Sequence, residues 1–149
     1  MTKETTVTPD QVQTIRLTFV QVMNRKKEAG RMFYDRLFEI APETRALFAI
    51  DIDEQASKLM DTLAVAISSL KDMPSLIVIL EAMAVRHASY GVRDEHYDKV
   101  GEALLWTLER ILGDAFTPQV KQAWAALYGT VATVMRRAGA GSAGLRAAG

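Results

Sequence analysis

Prolines and glycines cut this chain into blocks, and inside the blocks apolar residues recur every three or four positions. That period is helical, and no strand pattern competes with it. Thr8-Pro9-Asp10-Gln11 opens the first block: threonine caps, proline takes the first turn, and Gln11 can close a capping box. This helix is predicted to run to about Glu28. A second covers Gly30 to Glu39, with Met32, Phe33, Leu37 and Phe38 on apolar positions. Pro42 opens a short helix within "APETRALF". Asp51 to Lys71 is a fourth, with Leu59, Leu63 and Ala66 at helical spacing. Pro74 opens a fifth, which ends near Tyr90-Gly91, where glycine supplies the stop. Asp94 to Leu112 is a sixth, striped by Val100, Leu104, Leu108 and Ile111, and Gly113 ends it. Thr117-Pro118 caps the last, whose stripe is Val120, Trp124, Leu127, Val131 and Met135. "LIVIL", 76–80, could be a strand in isolation. The helix-start proline before it and "EAMAVRH" after it favour a helix. The expectation is one all-α domain over residues 1–138 and a disordered Gly/Ala-rich tail over 139–149.

A chain of 149 residues suits one domain, and 49% hydrophobic residues can support a core and a pocket. Lys+Arg and Asp+Glu number 18 each, so nothing favours nucleic acid or an anionic membrane surface as partner. No apolar run is long enough for a membrane span, and "MTKETTVTPD" has no apolar signal core, so a cytoplasmic protein is expected. With no cysteine, disulfides, thiolate-bound zinc, iron–sulfur clusters, thiolate nucleophiles and thioether-attached haem are all excluded.

Chemistry then rests on two histidines, both within "MAVRHASYGVRDEHYDKVG". Leu76, Leu80, Met83 and His87 fall at i, i+4, i+7 and i+11, so His87 projects from the end of an apolar helix face. It is either a core histidine with backbone partners or a ligand in an apolar pocket. His96 lies past the Gly91 stop among acidic neighbours, where an exposed or supporting role is expected. One histidine is too few for zinc, which needs three or four protein ligands. It suffices for haem iron, because the porphyrin supplies the equatorial nitrogens.

Five segments bear on that choice: "FYDRLFEIAPETRALF" (33–48), "QASKLM" (55–60), "RHASYGVRDEHYDKVG" (86–101), "LGDAFTPQVKQAW" (112–124) and "YGTVATVM" (128–135). In this order they resemble the bacterial single-domain globins related to the globin part of flavohaemoglobins. The resemblance implies a globin fold, a helical sandwich around a haem b pocket. It implies His87 as the proximal iron ligand and Phe48 as the phenylalanine wedged against the haem face. Tyr34 matches the distal tyrosine that reaches bound gas, Gln55 the distal residue over the iron, and Leu59 the apolar residue beside it. Tyr97 matches the tyrosine behind the proximal histidine.

The resemblance further implies reversible binding of oxygen, nitric oxide and carbon monoxide. Nitric oxide dioxygenation is a possible activity, with electrons from a separate reductase because none is encoded within these 149 residues. A haem-based sensor or an oxygen-storage protein is the alternative. One departure is visible. Where the flavohaemoglobin group carries a glutamate on the last helix, beside the proximal tyrosine, the register from Trp124 and Tyr128 places Gly139. Unless Glu95 or Glu102 substitutes, the network that strengthens the proximal histidine is incomplete. His87 is then expected to donate its other ring N–H to a carbonyl one turn back.

Overall fold

The computed structural model describes residues 7–48, 51–89 and 91–148, with the side chains of 89 and 140–148 excepted. Its elements are α1 (Pro9–Met23), α2 (Lys26–Ile40), a 3-10 turn (Pro42–Leu47), α3 (Ile52–Ser68), α4 (Met73–Ser89), α5 (Asp94–Leu112), a 3-10 turn (Gly113–Ala115) and α6 (Pro118–Ala148). The expected all-α class holds, with no strand among the described residues. "LIVIL" lies within α4.

The helix ends obey their local chemistry. At α1 the Thr8 hydroxyl accepts from Gln11 N–H at 3.1 Å, and Gln11 Oε1 accepts from Thr8 N–H at 3.0 Å, a complete capping box. Gly91 and Gly113 both adopt positive φ, 94° and 55°, a conformation that side chains with a Cβ resist. Tyr90, named with Gly91 as a helix end, lies outside the described residues.

Three boundaries differ from expectation, the smallest at α3, which ends at Ser68 and not Lys71. The first block ends at Met23, not Glu28, and α2 begins at Lys26. Asn24 closes α1, and the Arg25 guanidinium folds onto Glu28 at 2.8 and 2.6 Å across the first turn of α2. At the other end α6 continues through the segment expected to be a disordered tail, as far as Ala148.

Packing builds a layered sandwich. α2 packs on α3 and α5, α4 packs on α6, and α1 lies across α6. Ile15, Leu37, Leu76, Leu80 and Trp124 are the largest fully buried apolar side chains. Each such leucine or isoleucine contributes roughly 1.5–3 kcal/mol by leaving water. The buried Trp124 indole N–H donates to Thr18 Oγ1 at 2.9 Å, and the Thr18 hydroxyl donates to the Thr14 carbonyl at 2.8 Å. No polar atom of that pair is left bare, which would be costly at this depth.

Gly30 sits inside α2 where it crosses α3. A Cβ built there would lie 2.7 Å from Ala56 Cβ and 3.2 Å from the Ala56 carbonyl oxygen. The missing side chain lets two backbones approach, and the approach sets Tyr34, one turn on, beside Gln55, the neighbour of Ala56. No helix among the described residues is long and apolar enough to cross a membrane.

Candidate functional site

The α4 stripe is covered unevenly. Leu76 and Leu80 are fully buried, while Met83 and His87 at the C-terminal end are half-buried. His87 Nδ1 lies 2.8 Å from the Met83 carbonyl oxygen. A carbonyl can only accept, so Nδ1 carries the proton and Nε2 keeps its lone pair. Burial pushes the His87 pKa below its ordinary value; the Met83 carbonyl opposes this and the Arg86 charge adds to it. The ring is therefore held neutral, the form a metal takes.

His96 is bound the opposite way. Its Nδ1 accepts from Arg93 N–H at 2.9 Å, which puts the proton on Nε2. No lone pair remains to give to a metal. Of the exposed or supporting role expected for it, the structure excludes the exposed one: His96 is 6% exposed. As the third residue of α5 it caps that helix, and the capping contact tucks the ring over the helix end.

Tyr34, Phe48 and Gln55 come together from three elements. α2 buries Tyr34 to 3% exposure. The 3-10 turn delivers Phe48, whose ring meets that of Tyr34 edge to face, with centroids 5.2 Å apart. Phe33 flanks Tyr34 at 4.9 Å on another side, which fixes the phenol. Burial pushes the Tyr34 phenol up to about 12, and a hydrogen bond from the Gln55 side chain opposes part of that rise. Leu59 comes one turn of α3 after Gln55 and is half-buried against the core.

Tyr97 stands on the first turn of α5, half-buried and held from α6. The Tyr128 hydroxyl donates to the Tyr97 carbonyl at 2.5 Å. Gly101 makes room for it, since a Cβ there would lie 2.8 Å from the Tyr128 ring. A side chain at Gly139 would meet nothing within 4 Å. Glu95 pairs with Arg93 at 2.9 Å and Glu102 with Lys99 at 3.6 Å, both on the surface, so neither turns toward Tyr97 to replace the missing carboxylate.

Sequence reasoning misses Gly30, Tyr128 and Arg136. Gly30 reads as a boundary, although a glycine inside a helical period can equally mark a close crossing. Tyr128 lies in a matching segment without a role of its own. Arg136 reads as one of two basic residues before a tail.

The donor set suits haem. One neutral imidazole offers Nε2, the pocket's other named side chains are apolar or neutral, and no group of three His, Cys, Asp or Glu among the described residues could hold a bare ion. Fold and donors define an all-helical protein with one half-buried neutral imidazole whose Nε2 is free to take a ligand, and a separate buried tyrosine packed on Phe48. The chain belongs to the globin family, a haem-binding family whose model, Globin, matches residues 31–135. It is 36% identical over 106 residues to the "Flavohemoprotein" of Rhizobium meliloti (strain 1021), covering 69% of this chain and 26% of that protein. It is 33% identical over 103 residues to the "Flavohemoprotein" of Bacillus subtilis (strain 168), covering 67% and 26%. The chain thus spans about a quarter of the length of these relatives.

Proposed function

We propose that this globin holds haem b through His87 Nε2 and takes oxygen, nitric oxide or carbon monoxide on the face lined by Tyr34, Gln55, Leu59 and Phe48. Haem would supply an iron able to take a diatomic gas and to turn nitric oxide and dioxygen into nitrate, each turnover needing one electron from outside this chain to restore the ferrous iron. The chain's own residues do the rest. The Met83 carbonyl fixes the His87 tautomer and ring plane. Phe48 and Leu59 exclude water. The buried Tyr34 phenol keeps its hydrogen and can donate it to a ligand that carries negative charge. Such a charge-assisted bond contributes roughly 1.5–3 kcal/mol.

The observation that carries this reading is the buried Tyr34 ring, held edge to face against Phe48 with the Gln55 side chain near its hydroxyl. It favours tight oxygen binding with slow release, which suits nitric oxide detoxification with a separate reductase. The open surroundings of Gly139 favour reversible binding over peroxidase-like chemistry, because no carboxylate strengthens His87 from there. The cytoplasm is the compartment we propose.

Tyr34→Phe tests the reading. It keeps the ring volume, so the packing cost is small. Stopped-flow should show oxygen dissociating roughly tenfold faster or more, about 1.4 kcal/mol, with carbon monoxide affinity changed much less. Equal changes for both gases would mean a steric role, and no change for either would remove Tyr34 from the gas-binding face.

A further inference from the structure

Tyr34 and Phe48 are two corners of a triangle of rings. Their centroids lie 5.2 Å apart, with the planes at 73°. The third corner is Phe38, one turn of α2 after Tyr34. Its centroid lies 5.9 Å from Tyr34 at 36° and 5.9 Å from Phe48 at 58°. Tyr34 is buried, whereas Phe38 is half-buried and meets the Arg45 side chain. The Arg45 Cζ lies 4.9 Å from the Phe38 ring centroid. A guanidinium over a ring within about 6 Å is attracted by the negative face of the ring. Arg45 also reaches Phe48 through the main chain, because its carbonyl accepts from Phe48 N–H at 3.2 Å. One residue thus touches two corners of the triangle, and both of those corners touch Tyr34. The 3-10 turn that carries Arg45 is anchored separately: the buried Thr44 hydroxyl donates to the Ala41 carbonyl at 2.7 Å, and Thr44 N–H donates to the same carbonyl at 3.0 Å.

We propose that Arg45 is a positioning residue for the gas-binding face: by capping Phe38 it holds the Tyr34 and Phe48 rings at their mutual angle, and so aims the Tyr34 hydroxyl. This rests on the reading of Tyr34 as the donor to bound gas. An edge-to-face pair has a preferred angle, not a rigid socket, so a third ring held in place narrows the tilt of the other two. A hydrogen bond weakens steeply as its angle closes, while a small tilt leaves the ring volume as it was. Loss of the Arg45 cation therefore acts on a ligand that carries negative charge and largely spares an uncharged one. Glutamine at this position keeps the length and polarity and loses the charge. Lysine keeps the charge and loses the planar face that lies on a ring. The Arg45 side chain is exposed and Thr44 anchors the turn, so neither change opens the core.

The test is stopped-flow release of oxygen and of carbon monoxide from the haem-loaded chain, with NMR of the diamagnetic carbon monoxide form beside it. Arg45→Gln should release oxygen about two- to fivefold faster, the size an exposed cation–ring contact supports, and change carbon monoxide release much less. Arg45→Lys should recover part of the wild-type rate. In a Phe38→Leu background Arg45→Gln should add nothing, because the effect runs through that ring. The Arg45 δ-methylene protons should lie upfield in the wild type, under the Phe38 ring current, and move back in Phe38→Leu. Oxygen release unmoved by Arg45→Gln, an equal change for both gases, a full effect that persists in Phe38→Leu, or δ-methylene protons indifferent to Phe38→Leu overturns the proposal. Tyr34→Phe separates the two levels. If it leaves oxygen release unchanged, the donor reading fails and the Arg45 proposal with it. If it speeds release while Arg45→Gln is silent, only the Arg45 proposal fails.

Discussion

A neutral imidazole has one lone pair to give, and hydrogen bonding decides which nitrogen keeps it. At His87 the Met83 carbonyl accepts from Nδ1–H and leaves the Nε2 lone pair available. At His96 the Arg93 amide occupies the Nδ1 lone pair. The sequence shows both histidines and their spacing but not these partners. A capping role for a histidine at the third helix position has a weak signature, because glutamine or glutamate is the usual residue there. Tyr34 gives a prediction at the same scale. Its folded pKa, about 12, lies above the ordinary 10.0, so burial favours the protonated form. Its stabilising contribution is complete below pH 10 and is lost as the pH rises through about 12. Two pKa units correspond to about 2–3 kcal/mol. Tyr128, also raised by burial, acts in the same direction. Denaturant melts between about pH 9 and about pH 12 should therefore show stability falling less steeply in Tyr34→Phe than in the wild type. An identical pH dependence would mean that the Tyr34 phenol is not buried.

Helices with strong punctuation are legible in the sequence, and their crossings are not. Pro9, Pro42, Pro74 and Pro118 each open an element, and Gly91 and Gly113 each come just after one. The α1–α2 boundary carries neither residue; Arg25 folds onto Glu28 there, a side-chain contact with no periodic trace. Gly30 reads wrongly as a breaker because composition cannot tell a helix breaker from a helix contact. At the α2–α3 crossing, Gly30→Ala forces a Cβ against Ala56 and should cost about 1–3 kcal/mol in urea melts. It should also speed oxygen release, since Tyr34 and Gln55 ride on the two helices pushed apart. Adding Ala56→Gly removes the Cβ–Cβ contact at 2.7 Å and should recover part of both losses. Full stability in Gly30→Ala alone would mean that the crossing has slack.

Across the whole molecule, the order of motifs carries the fold, and the family match over residues 31–135 agrees with it. Tyr34 and Phe48, proposed for the gas-binding face, stand far apart in sequence, and the structure brings their rings together edge to face. The proximal wall is legible only as a gap at Gly139. What stands beside Tyr97 comes from distant parts of the chain, Asp94 and Tyr97 on α5 and Arg136 on α6. Such pairs leave no mark in a single sequence. The claim that joins both walls is that one haem sits on His87. Titration of His87→Ala, His96→Ala and the unaltered chain with haem, followed by spectra of the ferric, ferrous and oxygenated forms, tests it directly. The unaltered chain and His96→Ala should each take up one haem and give closely similar spectra, whereas His87→Ala should bind haem weakly and lose the ferrous–oxygen form. Haem lost from His96→Ala and retained with an unchanged spectrum in His87→Ala would place the iron on the other histidine and refute the His87 site.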